Sequence, residues 1–213
     1  MNVSRLNDRR PSCFGGWVVF LCGSLFSGSL ALGCGGAPPR APVTEIAKLP
    51  PARAYEEKSE GFSGAELCFN GLDDNRNTLI DEGCGVRQGQ VQFVLAWDEE
   101  AADLDLYVTD PDGEIATNAS ATLLGLTLSP DCPKDKRCAG QNFENAFLEE
   151  LDTPCGNYRV RIRLEKLPPG RDQLLGTLGV RLPGGTRAYR LEFFAEGQEI
   201  FLEFDVESAD EKE

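Results

Sequence analysis

From Gln88 onward the chain alternates apolar and polar residues with period two, a pattern that fits a strand with one buried face and no helix. The clearest run is "YRVRIRLE", with Tyr158, Val160, Ile162 and Leu164 on one face and Arg159, Arg161 and Arg163 on the other. "VQFVLAW" puts Val91, Phe93, Leu95 and Trp97 together, and "DLDLYV" opposes Leu104, Leu106 and Val108 to Asp103, Asp105 and Tyr107. "TLLGLTL" (Leu124, Leu126, Leu128), "LGVRL", "AYRLEFF" and "EIFLEFDV" follow, the last two flanking residues 195–198 as a predicted hairpin. "NAFLEEL" at 145–151 comes nearest to a helical period and is too short to count as a helix. Many short strands with Gly and Pro between them predict an all-β fold, an antiparallel, jelly-roll-like β-sandwich over residues 86–207, followed by an acidic tail at 208–213.

The first 33 residues have a different composition. Arg5, Arg9 and Arg10 precede an uncharged, largely apolar stretch, the layout of a secretory signal peptide at 1–33. The segment ends "LALGC", which resembles the lipobox of bacterial lipoproteins. That resemblance implies that Cys34 becomes the lipidated first residue of the mature chain, with a membrane partner through the lipid. Gly35 stands where the inner-membrane retention signal would place Asp, so the expected location is the cell envelope, as an outer-membrane lipoprotein. Residues 34–65, with Pro38, Pro39, Pro42, Pro50 and Pro51, read as a disordered tether.

Charge narrows the partners. The chain has 21 Lys and Arg against 35 Asp and Glu, a net −14, and no histidine. Without a basic footprint nucleic acid is excluded as a partner, and without His the common triads and His-ligated metals are excluded. Cations, basic protein surfaces or glycans are the partners that fit.

Between tether and sandwich lies "ELCFNGLDDNRNTLIDEGC", residues 66–84. Asp73, Asn75 and Asn77 offer hard oxygens at alternate positions, Leu79 its carbonyl, and Asp81 or Glu82 a closing carboxylate. This spacing suits calcium. Thr78 takes the position where calcium loops place Gly, and Cys84 takes that of the bidentate Glu. The expected affinity is weak, roughly 10⁻⁴ to 10⁻³ M. The alternative is a clasped spacer without an ion. The pattern Glu66, Cys68, Asn70-Gly71, Asp73-Asp74, Asp81-Glu82, Cys84 resembles the metal-binding motif of MopE-type bacterial surface proteins, abundant in myxobacterial lipoproteins. Those motifs have Asp-Cys-Asp-Gly where this chain has Asn75-Arg76-Asn77-Thr78. The resemblance implies a Cys68–Cys84 disulfide.

A second resemblance spans about Val91 to Leu164. "VLAW…DLDLYVTDPDG", then "GQNFENAF…CGNYRVRI", is similar to the YfaP-like family of extracytoplasmic bacterial domains. Its strongest points are Trp97, Asp103, Asp105, Asp110, Gly113, Glu144, Asn145, Gly156 and Tyr158. The family implies a β-sandwich outside the cytoplasm and no known activity. Similar sandwiches bind calcium through Asp-rich hairpins, making Asp103 and Asp105 a second pair of candidate ligands. The alternative is that the arginines at 159, 161 and 163 neutralise them across the strands. Cys132 and Cys138 would close a small loop, although spacing equally permits Cys138 with Cys155. The chain has no G-x-S-x-G, phosphate-cradling Gly loop or H-E-x-x-H. The expectation is therefore a non-catalytic binding or adhesion module for a protein or glycan, stabilised by calcium. The alternatives are an accessory or inhibitory subunit of a secreted hydrolase, and a carboxylate-dependent glycosidase.

Overall fold

A computed structural model describes residues 49–57, 64–117, 119–138, 140–149 and 153–207. The expected signal peptide at 1–33, the expected lipidation site Cys34, and residues 35–48 and 208–213 lie outside the described residues.

The described chain is all-β, with nine strands: β1 (Arg53–Glu57), β2 (Val91–Trp97), β3 (Asp103–Thr109), β4 (Thr127–Leu128), β5 (Phe143–Leu148), β6 (Gly156–Lys166), β7 (Leu174–Leu182), β8 (Gly185–Phe193) and β9 (Glu199–Val206). They form two antiparallel sheets, ordered β1-β8-β7-β2-β5-β4 and β3-β6-β9. The sheets pack face to face over one core. Leu104, Leu106 and Val108 of β3, and Tyr158, Val160, Ile162 and Leu164 of β6, are all buried as their alternation predicts. They meet Phe93, Leu95, Leu178, Val180, Leu191 and Phe193 from the larger sheet. The Phe93 ring lies 6.3 Å from Tyr158 and 5.6 Å from Phe204, within the range where offset aromatic pairs attract.

β2 and β5 depart from simple alternation, because every residue of both is buried. Their outer faces are covered by the clasped stretch, whose Ile80 is 1% exposed and belongs to the hydrophobic core. Gln92 and Asn145 face this cover. Both their amides donate to the Arg87 carbonyl, and Gln92 also bonds Asn145 Oδ1 at 3.2 Å. Buried amides need such partners to offset their desolvation. Gly71, at φ 72°, lies directly on the sheet. A β-carbon there would meet the Val94 and Thr177 carbonyls at 3.2 and 3.4 Å.

Three expectations are corrected. Residues 53–57, assigned above to the disordered tether, form edge strand β1, which pairs with β8 from Arg53↔Glu192 to Glu57↔Ala188. The segment follows Pro50-Pro51 and contains no proline, so each of its backbone amides can donate. "AYRLEFF" and "EIFLEFDV" do not form a hairpin: β8 belongs to the larger sheet and β9 to the smaller. The intervening turn is held instead to β6, through Gly197 N to the Leu164 carbonyl at 2.7 Å and Leu164 N to the Gln198 carbonyl at 3.0 Å. The tight hairpin is β7–β8, turning through Pro183-Gly184 with Leu182 opposite Gly185. In "TLLGLTL" only Thr127–Leu128 is strand. Gly125 N bonds the Thr122 carbonyl at 2.9 Å, closing a turn that takes Leu124 out of the ladder.

Candidate metal centre

β3 is an edge of the smaller sheet, with a strand on one side only. Glu144 of β5 stands opposite Leu95 in the larger sheet, so it points inward with Leu95. It is 1% exposed, and its Oε2 accepts a hydrogen bond from Leu106 N of β3 at 2.7 Å. One carboxylate thus bridges the two sheets by accepting an edge amide. Asp105, on the polar face of β3, lies beside it. The third member, Asp131, comes from the loop that leaves β4. That loop is tied to β5 by Ser129 N on the Asn145 carbonyl at 2.8 Å and closed on itself by the Cys132–Cys138 disulfide.

One carboxylate oxygen from each of Asp105, Asp131 and Glu144 lies within 4.8 Å of the other two. Oxygens bound to one calcium at 2.3–2.6 Å can be at most about 5 Å apart, so the spacing is compatible with a shared ion. Asp131 Oδ1, and nearby in sequence Asp103 Oδ1 and Asn142 Oδ1, are buried and have no hydrogen-bond donor among the described residues. Burial pushes the Glu144 carboxyl well above the usual carboxylate range. The Leu106 amide opposes that shift, and the charges of Asp131, Asp105 and Asp103 add to it. Lys134, from the same disulfide-closed loop, reaches Asp103 Oδ2 at 3.1 Å and Asp105 Oδ1 at 3.5 Å. Partial burial lowers the pKa of this ammonium, but the two aspartates outweigh burial and hold it above the usual lysine range. The donor set is all oxygen, which suits a hard divalent cation and not a soft metal. The cluster can hold a metal ion.

Of the second predicted pair, Asp105 belongs to this cluster, whereas Asp103 is turned onto Lys134. Among the described residues the counter-charge of both is Lys134 and not the arginine row. Arg161 stacks on the Tyr107 ring at 4.0 Å and pairs with Glu199 at 3.2 Å, and Arg163 pairs with Glu165 at 3.1 Å. The small-loop disulfide Cys132–Cys138 is formed, so Cys138 does not pair with Cys155. Asp131 and Glu144 were not singled out as ligands. The available signal was an acid inside "FENAFL", a run buried at every position.

In the clasped stretch the Cys68–Cys84 disulfide is present. Asp73, Asn75 and Asn77 commit their side-chain oxygens to amides and a hydroxyl, whereas Glu82 Oε2 is buried with no donor among the described residues. Asp73 Oδ1 accepts Asn77 N at 3.0 Å, and its Oδ2 accepts Thr78 N and the Thr186 hydroxyl, each at 2.9 Å. Asn75 Oδ1 accepts Asn77 N at 3.0 Å, and Asn77 Oδ1 accepts Leu79 N at 2.8 Å. The Asn75 and Asn77 amides both donate to Glu82 Oε1. Glu82 is therefore the carboxylate that joins this group. Asp81 turns away, accepting Asn70 N at 3.2 Å and Gly71 N at 3.0 Å, and burial pushes its pKa up to about 6. Thr78 has φ 68°, the left-handed conformation that glycine supplies in calcium loops. For a β-branched residue that conformation is strained, and the disulfide and hydrogen bonds around it must offset the cost.

No family model, curated protein or solved structure matches this chain.

Proposed function

We propose that this chain is a non-catalytic cell-envelope lipoprotein whose β-sandwich is a surface binding or adhesion module stabilised by calcium. The observation that carries the calcium reading is the approach of Asp105, Asp131 and Glu144 within 4.8 Å across the two sheets. An ion there would cross-link β3, β5 and the disulfide-closed loop. It would displace Lys134 from Asp105 and relieve the mutual repulsion of the three carboxylates. The clasped stretch serves as a cover for the larger sheet, since the side-chain oxygens of Asp73, Asn75 and Asn77 already accept hydrogen bonds within the protein. The envelope location is supported by the signal-like N-terminus and by two disulfides, which persist in oxidising compartments.

Calcium at millimolar concentration is expected to raise the unfolding temperature, because stabilisation follows the excess of ligand over its dissociation constant. Asp131→Asn should abolish the shift. Asp73→Ala should retain it while lowering the basal melting temperature. Loss of the shift in Asp73→Ala alone would move the ion to the clasp, and no shift in the parent protein would remove calcium from the proposal.

The anchor is tested separately. Cys34→Ser is expected to yield an unprocessed precursor that takes up no lipid label. Normal processing and labelling of that variant would overturn the lipoprotein reading.

A further inference from the structure

The outer face of the larger sheet is only partly covered. The cross-strand row Ala96–Thr177–Arg190 emerges beside the clasped stretch and floors a cavity of about 290 Å³. Phe69 supplies aromatic wall, Leu175 aliphatic wall, and Glu57 and Asp98 line it with carboxylates, while Trp97 borders it from β2 with its ring on the core side of the sheet. Phe69 is held in place by stacking on Phe143, with ring centroids 4.9 Å apart.

The charges around this cavity do not cancel. Arg190 is already paired with Glu192 at 3.5 Å. Glu57 and Asp98 are both exposed and have no ion-pair partner among the described residues. The cavity therefore offers aromatic surface beside two uncompensated carboxylates. That combination suits a long side chain with an apolar stem and a cationic head, which can pack its methylenes, present its charge to a ring and pair with a carboxylate. A bound anion would be repelled, and a neutral ring would leave both carboxylates uncompensated.

We propose that this cavity receives an arginine or lysine side chain from a partner polypeptide. The site lies on the outer face of the larger sheet, away from the Asp105–Asp131–Glu144 cluster at the edge of the smaller one. The inference goes beyond the calcium reading and does not rest on it. Occupancy by one side chain makes each contact weak, with a dissociation constant of about 1 mM.

Trp97 is its own reporter, because the chain has two tryptophans and the other is Trp17. The full chain carrying Trp17→Phe is titrated, with a chelator present, with a short peptide bearing one arginine. A peptide with citrulline in place of arginine is the neutral isostere. The arginine peptide is expected to change Trp97 emission saturably and the citrulline peptide to leave it unchanged. Glu57→Gln with Asp98→Asn should weaken the response by at least about tenfold, whereas Glu203→Gln, on β9 of the other sheet, should not. An equal response to both peptides, equal weakening by Glu203→Gln, or saturation by a neutral saccharide in place of the peptide would overturn the proposal. The chelator makes this outcome independent of any calcium effect.

Discussion

Val160→Asp is expected to leave the sandwich unfolded under conditions where the parent protein is native. Val160 is 1% exposed and sits in the middle strand of the smaller sheet, opposite Val108 on one side and Leu202 on the other. The nearest residues on its face of β6 are Tyr158, Ile162 and Leu164, all buried and none of them cationic. The aspartate would have to stay charged in an apolar core or take up a proton, at a cost above about 4 kcal/mol in either case. That is a large share of the roughly 5–15 kcal/mol that keeps an ordinary domain folded. Arg161→Ser, one residue on, loses the stack on Tyr107 and the pair with Glu199, two interactions made near solvent. Such contacts are worth about 1 kcal/mol together. Urea unfolding followed by far-ultraviolet circular dichroism should place the two variants far apart. Similar midpoints would mean that the facing of β6 is wrong.

The second large effect is expected from Gly179→Ala. Gly179 lies on the outer face of β7, opposite Val94 and Ala188. The Gly71 carbonyl of the clasped stretch occupies the space that a β-carbon on Gly179 would need, and Ile80 Cδ1 lies 3.2 Å from the same point. Backbone cannot retreat from this contact as a flexible side chain can. The alanine should therefore lift residues 69–81 off the sheet, exposing Ile80, Gln92 and Asn145. Loss of this packing and of the amide network should cost about 3 kcal/mol or more. Limited proteolysis should then cut within residues 69–83 while the disulfide keeps the fragments joined. Thr186→Val, which removes only the hydroxyl bond to Asp73, should cost about 1 kcal/mol and leave the stretch resistant. Parent-like resistance in Gly179→Ala would show that the clasped stretch does not rest on β7.

The two variants separate what was legible from what was not. The facing of Val160 could be read directly, because a strand's side chains alternate whatever lies around it. The Cys68–Cys84 clasp was implied by the resemblance to MopE-type motifs, and the Cys132–Cys138 pair was one of two options that spacing allowed. The contact between Gly71 and Gly179 left no local trace. It joins residues more than a hundred positions apart, and a glycine reads alike in a turn or under another backbone. The polar residues Gln92 and Asn145 are buried for the same reason: a segment distant in space order covers them.

The candidate metal centre divides in the same way. Asp105 was recognisable because an acid on the polar face of a strand, close to Asp103 and the acids at 98–100, calls for a counter-charge. That counter-charge is Lys134, and the carboxylates that join Asp105 are those of Asp131 and Glu144, from a loop and from the opposite sheet. By itself the sequence determined the all-β class, the facing of the regular strands and the absence of His chemistry, since each depends on residue type or on period-two geometry. The tertiary structure decided which strands share a sheet, that β8 and β9 part company and that three distant carboxylates meet. Those outcomes depend on how the two sheets close over their core, and closure brings together residues whose separation along the chain carries no periodic signal.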